Sequence, residues 1–134
     1  MMARTALAAR RDQGAVLIEH LRAAVLGTDP GRERCHVLFL DCERRLLGES
    51  SLGLGANSFL LLRMRPVFAE ALRIGAEAMI LAHNHPSGLC RPSPNDVSAT
   101  RRIAAVGRAL DVELLDHLIF TVQDVYSMRA GGMM

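Results

Sequence analysis

Residues 79–96 read MILAHNHPSGLCRPSPND, an apolar run that ends in two histidines one residue apart, then a Pro-Ser-Gly turn and, eleven residues after the second histidine, an aspartate. In an extended chain side chains two residues apart point the same way, so His83 and His85 can present both imidazoles to one point. Ser93 has the chemistry of an N-cap and Pro94 that of a first helical residue, which makes Asp96 the third residue of a helix with its carboxylate directed back toward the histidine loop. Two imidazoles, one carboxylate and an open fourth position filled by water form a usual catalytic zinc shell. Water bound there has its pKa lowered to about 7. Such a site also needs a base to accept the water's proton. Glu49, in LLGESSL among small residues that leave space for a substrate, is the expected base.

Each residue has a plainer reading. Asp96 alone fits the acidic member of a capping box with Ser93, and Glu49 alone fits a solvent-facing strand acid. A lone H-x-H fits surface chemistry, with Pro86 and Gly88 shaping a turn. What sets this stretch apart is the combination of strand, H-x-H-P-S-G, short loop and S-x-x-D opening a helix. The string HNH is not the nuclease motif of that name, whose residues are dispersed over a ββα unit. The H-x-E and P-C-x-x-C signatures of zinc deaminases are missing. The same donors also fit the facial triad of a mononuclear Fe(II) oxygenase. His117, in LLDHLIF, fits a satisfied core histidine better than a third nitrogen ligand, with a supporting role behind the ligands left open. Cys90 reads as a bystander thiol, Asn84 as facing away from the histidines to bond loop backbone, and Arg101 and Arg102 as a solvated helix face.

The elements that position these residues follow from periodicity. GAVLIEHLRAAVLG puts Leu17, Leu21, Ala24 and Val25 on one helix face, with Gly27 as a left-handed C-cap. TDPGRER is turn chemistry. CHVLFLD reads as a buried strand, CERR as a hairpin turn and LLGESSL as its partner strand. GLGANS is a loop and FLLLRMR, residues 59–65, a third strand. Pro66 opens a helix through VFAEALRI to Gly75, and AEAMILAH is the next strand. The helix from Pro94 carries Val97, Ile103, Val106 and Leu110 near one face, and VELLDHLIFTV with VYSMR closes the chain as a strand pair. The order predicts an α/β or α+β domain in which helices cover a mixed sheet.

The 134 residues, half of them apolar, allow one domain of ordinary core size. All 16 basic residues are Arg, which excludes a Schiff-base lysine, a Ser-Lys dyad and a P-loop lysine. A net charge of +2, one Tyr, four Phe and no Trp give little material for a base-stacking platform, so strong nucleic-acid binding is not expected. Three cysteines without C-x-x-C spacing read as free thiols. No window reaches 18 apolar residues and no signal-peptide pattern is seen, so a cytoplasmic protein without membrane partners is expected.

At HNHPSG and PSPND the chain resembles the JAB/MPN+ (JAMM) zinc metallopeptidases, in their RadC-like bacterial branch. The resemblance runs from HVLFLD through RIGAEAMILAHNHPSG to LLDHLIF and YSMRAGG. It implies a single α/β domain of the JAB/MPN, cytidine-deaminase-like fold over residues 31–134, preceded by a helix and linker over 1–30. It also implies zinc held by His83, His85 and Asp96, with Ser93 positioning the bound water or the oxyanion. The function implied is hydrolysis of a peptide or isopeptide bond in a peptide or protein substrate. The alternative is a non-catalytic adaptor of the same fold associated with DNA repair or mobile elements. Two features differ from the family pattern. RadC-like chains often carry an N-terminal helix-hairpin-helix module, whereas here one helix precedes the sheet, which suggests a standalone catalytic-type domain. Family glutamates on the Glu49 strand also tend to stand one or two residues later, at Ser50 and Ser51, and a one-residue shift reverses the face.

Overall fold

The segment Arg34–Leu40 is largely apolar, so it makes a stable strand only where both of its faces are covered. In the computed structural model six of its seven residues are buried. Residues 2–27, 29–53 and 64–134 are described, with side chains described for 14–27, 29–52 and 64–134. The elements are α1 (Met2–Leu26), β1 (Arg34–Leu40), β2 (Leu46–Gly53), α2 (Met64–Arg73), β3 (Ala78–Asn84), α3 (Pro94–Ala109), β4 (Glu113–Phe120) and β5 (Val125–Ser127). The sheet order is β2-β1-β3-β4-β5. Among the described strands only β3 and β4 pair in parallel, and α3 is their crossover. The protein is therefore α/β, with a mixed sheet flanked by helices as the order of elements predicted.

Alternation along β1 separates two cores. Cys35, Val37 and Phe39 pack with Val67, Phe68 and Ala71 of α2 and with Ala99 and Ile103 of α3. Leu38 and Leu40 pack with Leu21 and Val25 of α1. The expected face of α1 is the one that docks, and Gly27 follows it at φ 53, the conformation foreseen for its C-cap.

Two expectations are corrected. The strand expected over 59–65 lies outside the described residues except for Met64 and Arg65, which open α2 instead. On α3 the buried stripe is Asp96, Ala99, Thr100, Ile103, Ala104 and Gly107; of the bulky face expected, Ile103 belongs to it and Val106 packs at its margin, whereas Leu110 is exposed. Small residues win because the helix lies close to the chain that follows it. A Cβ on Gly107 would meet the Val112 carbonyl oxygen at 2.3 Å.

A bulge in β4 decides which way His117 faces. Met79 pairs with Leu114 but Ile80 with Asp116, so Leu115 is an extra residue. Without it His117 would share a face with Leu115, which packs beneath α1. With it His117 turns to α3 and bonds Thr100.

Candidate metal centre

The carboxyl end of β3 and the amino end of α3 meet at one point, as strand and crossover helix do in a parallel βαβ unit. His83 pairs with Cys35 across the β1–β3 ladder and so faces α3. His85 follows on the same side, and Asn84 between them points away. Its amide donates to the carbonyls of Arg32 (2.8 Å) and Pro30 (3.4 Å) and accepts from the Arg34 N–H (2.6 Å), tying the 29–34 turn to the strand end.

Asp96 comes from the other element. Ser93 caps α3: its Oγ accepts the Asp96 N–H at 3.0 Å, while its own N–H donates to Asp96 Oδ2 at 2.9 Å. The capping box fixes the carboxylate rotamer, and in that rotamer Oδ2 stands 3.2 Å from His85 Nε2 and 3.6 Å from His83 Nε2. The plain and the chemical readings of Asp96 are thus the same geometry. Ser93 Oγ has used an acceptor position on the helix and retains a proton to donate.

The two imidazoles meet at Nε2, 2.8 Å apart. Their far nitrogens are both engaged. His85 Nδ1–H donates to the Leu89 carbonyl at 3.0 Å. With its Nε2 lone pair directed at the cluster, His83 carries its proton on Nδ1 and donates it to His117 Nε2 at 2.6 Å. His117 then holds its own proton on Nδ1 and donates to Thr100 Oγ1 at 2.7 Å, and the Thr100 hydroxyl points to Met128 Sδ at 3.6 Å. The tautomers follow from the partners. His117 is the satisfied core histidine the sequence suggested, and it also orients His83, as partners behind metal ligands do.

Electrostatics agree with this assignment. Burial pushes His117 well below the ordinary imidazole range, with the neighbouring His83 adding to the effect, so it stays neutral. Burial opposes charge on Asp96, but the His83 ring beside it, the His85 hydrogen bond and the Ser93 N–H hold its carboxyl well below the usual carboxylate range. The Asp96 hydrogen bond raises His85, against the effect of its partial burial.

His83 Nε2, His85 Nε2 and an Asp96 carboxylate oxygen all lie within 4.8 Å of one another. Tetrahedral ligands at about 2.0–2.1 Å from an ion stand roughly 3.3 Å apart, and separations of 2.8, 3.2 and 3.6 Å bracket that edge. The donor set therefore fits a metal ion without rebuilding the site. Cys90 is turned to the Ile119 carbonyl and is not among these donors.

Glu49 is not brought to this cluster. It pairs with Leu38, whose side chain packs beneath α1, so its carboxylate lies on the opposite face of the sheet from His83. There it accepts from His36 Nε2 (2.8 Å) and His20 Nε2 (2.8 Å). Ser50, pairing with Val37, has the α3-side phase. The charge of Glu33, just before β1, makes a minor contribution to raising His85, behind the Asp96 hydrogen bond, and adds to burial in raising Cys35. In the sequence Glu33 reads as turn chemistry. It stands two residues before Cys35 but outside β1, which begins at Arg34, so strand alternation assigns it no face. Beside His85 a cleft of about 290 Å³ opens between Leu26, Pro30, Pro86, Gly88 and Thr121.

Residues 11–133 match the model of the RadC-like JAB domain. The chain belongs to this family. Its curated relatives include a UPF0758 protein of Thermosynechococcus vestitus, 41% identical over 112 residues (81% of this chain, 45% of the relative). Others are from Chloroflexus aggregans, 39% identical over 101 residues (75% and 44%), and Trichormus variabilis, 43% identical over 98 residues (73% and 40%). This RadC-like JAB chain thus spans less than half the length of these relatives, whose names state no activity. Among the described residues no helix is long and apolar enough to cross a membrane.

Proposed function

We propose that this RadC-like JAB chain is a zinc-dependent hydrolase of peptide or isopeptide bonds. The observation that carries the reading is the convergence of His83 Nε2, His85 Nε2 and Asp96 on one point, with both far imidazole nitrogens already paired. Two imidazoles and a carboxylate form the protein part of a hydrolytic zinc site. Zinc bound there would polarise a substrate carbonyl and supply a water with its pKa lowered to about 7.

The chain's own residues do the rest. Asp96 contributes a charge that the neighbouring imidazoles keep ionised and the capping box holds in place. Thr100 and His117 hold the His83 ring so that its lone pair does not turn away. Ser93 has a hydroxyl proton to place on the oxygen that becomes negative as the carbonyl is attacked. The base reading moves from Glu49 to Glu33, which stands in the turn that Asn84 ties to the end of β3 and whose charge reaches His85.

A panel of isopeptide-linked and linear peptides with a fluorogenic leaving group tests this reading, using the zinc-loaded chain, the chelated chain and His83→Ala. Cleavage by the loaded chain, lost on chelation and in the variant, is the expected result. A chain that holds zinc at His83 and His85 yet cleaves no member of the panel would favour the adaptor reading.

A further inference from the structure

A second group of donor atoms lies on the face of the sheet away from this centre. His20 comes from α1, His36 from β1 and Glu49 from β2, and one nitrogen of each imidazole and a carboxylate oxygen lie within 4.8 Å of one another. His20 Nε2 stands 2.8 and 3.0 Å from the two Glu49 oxygens, and His36 Nε2 stands 2.8 Å from Oε1. Three separate elements supply the donors, so no local turn or helix periodicity forces them together. The His36 side chain is 8% exposed and forms the floor, whereas His20 at 44% and Glu49 at 36% form arms open to solvent. A rigid floor with two accessible arms gives an ion a path in and lets the ligands close on it.

The donor chemistry is selective. Two imidazoles and one carboxylate suit zinc and its neighbours in the first transition row, and not the all-oxygen shells of magnesium or calcium. We propose that His20, His36 and Glu49 form a second metal site, for a divalent cation of the zinc class, which fastens α1 to the β1–β2 edge of the sheet.

The two sites differ in what stands behind the ligands. At the first, His117 and the Leu89 carbonyl accept the far ring protons. At the second, ligation through Nε2 leaves the His36 proton on Nδ1, a buried atom with no hydrogen-bond partner among the described residues. Losing a partner behind a ligand typically costs 10- to 100-fold in metal affinity, so the second site binds about that much more weakly than the first. Because an ion there bridges a helix and two strands, it stabilises the folded chain by mass action.

The test uses the whole chain and Zn²⁺ alone. The His83→Ala/His85→Ala variant removes the first site, and His20→Ala, an exposed change that leaves the core intact, removes an arm of the second. By equilibrium dialysis with metal analysis, the intact chain takes up about two zinc ions and the double variant about one, held roughly 10- to 100-fold more weakly than the tighter ion of the intact chain. Adding His20→Ala to the double variant abolishes that ion, and zinc raises the melting temperature of the double variant but not of the triple one. If the double variant takes up no zinc at about 100-fold the concentration that fills the first site, the cluster is a hydrogen-bonded clamp only and the proposal fails. It fails equally if the triple variant retains as much zinc as the double.

Discussion

His117 Nε2 lies 2.6 Å from His83 Nδ1, and the two rings are tilted by 59° with their centroids 4.7 Å apart. A fully buried imidazole thus sets the tautomer of a donor of the candidate centre, and its own tautomer is set by Thr100, one turn along α3 from Asp96. A single helix face therefore supplies a donor of the cluster and the anchor of the group behind another donor. Replacing His117 by Leu removes the acceptor of the His83 proton while keeping the volume apolar. Zinc affinity at the first site is expected to fall by about 10- to 100-fold, measured by competition with a chromophoric chelator.

Glu33 and Glu49 are separated by conservative amides. Glu33→Gln should lower turnover by about 10² to 10⁴, the usual effect of removing a general base, with fold and first-site zinc retained. Glu49→Gln, on the other face of the sheet, should leave turnover within a few-fold. Steady-state rates of the two zinc-loaded variants decide between them, and the reverse pattern would return the base to β2.

Ser93→Ala and Asp96→Asn divide the capping box. Loss of the Ser93 hydroxyl should cost about 1 kcal/mol of stability through the exposed helix end, with zinc stoichiometry unchanged. Asp96→Asn removes a charge from the donor set and should weaken first-site zinc binding directly. Urea denaturation and metal content of the same samples read both effects.

Gly107→Ala tests how close α3 lies to the sheet. Alanine is favoured over glycine in a helix by about 1 kcal/mol. Against that gain stands a Cβ placed 2.3 Å from the Val112 carbonyl, a backbone atom that cannot rotate away. Overpacking of this kind costs typically about 1–3 kcal/mol, so the variant should be less stable than the parent, with a lower urea midpoint.

Burial, and then the nearby Glu33, push the Cys35 thiol up to about 12. Cys42 is exposed. At mildly alkaline pH a thiol reagent should therefore label Cys42 in the native chain and reach Cys35 only on unfolding, which mass spectrometry of timed samples would show. Native labelling of Cys35 at the Cys42 rate would contradict the packing of β1.

Much of the site was legible because it depends on local rules. The S-P-x-D start of α3 sets Asp96 through the capping box, and the two-residue spacing sets His83 and His85 on one face of β3. The order of elements followed from periodicity in the same way. What was not legible depends on register. The face of Glu49 is decided by its pairing with Leu38, and that of His117 by the extra residue at Leu115, neither of which leaves a mark on a single strand. Glu33 lies in turn chemistry outside any periodic segment, and His20 meets Glu49 across 29 residues. The docking stripe of α3 escapes a reading by bulk, which sets large residues against the sheet where close approach instead selects alanine and glycine.

Anomalous diffraction at the zinc edge, from crystals grown with zinc below one equivalent, tests most directly whether His83, His85 and Asp96 hold the ion. At that loading the tighter site fills first. The predicted result is a peak about 2.0–2.2 Å from His83 Nε2, His85 Nε2 and an Asp96 carboxylate oxygen, with density for a fourth ligand on the side open to solvent. Zinc located elsewhere in the chain while those three side chains remain without it would contradict a metal centre at the junction of β3 and α3.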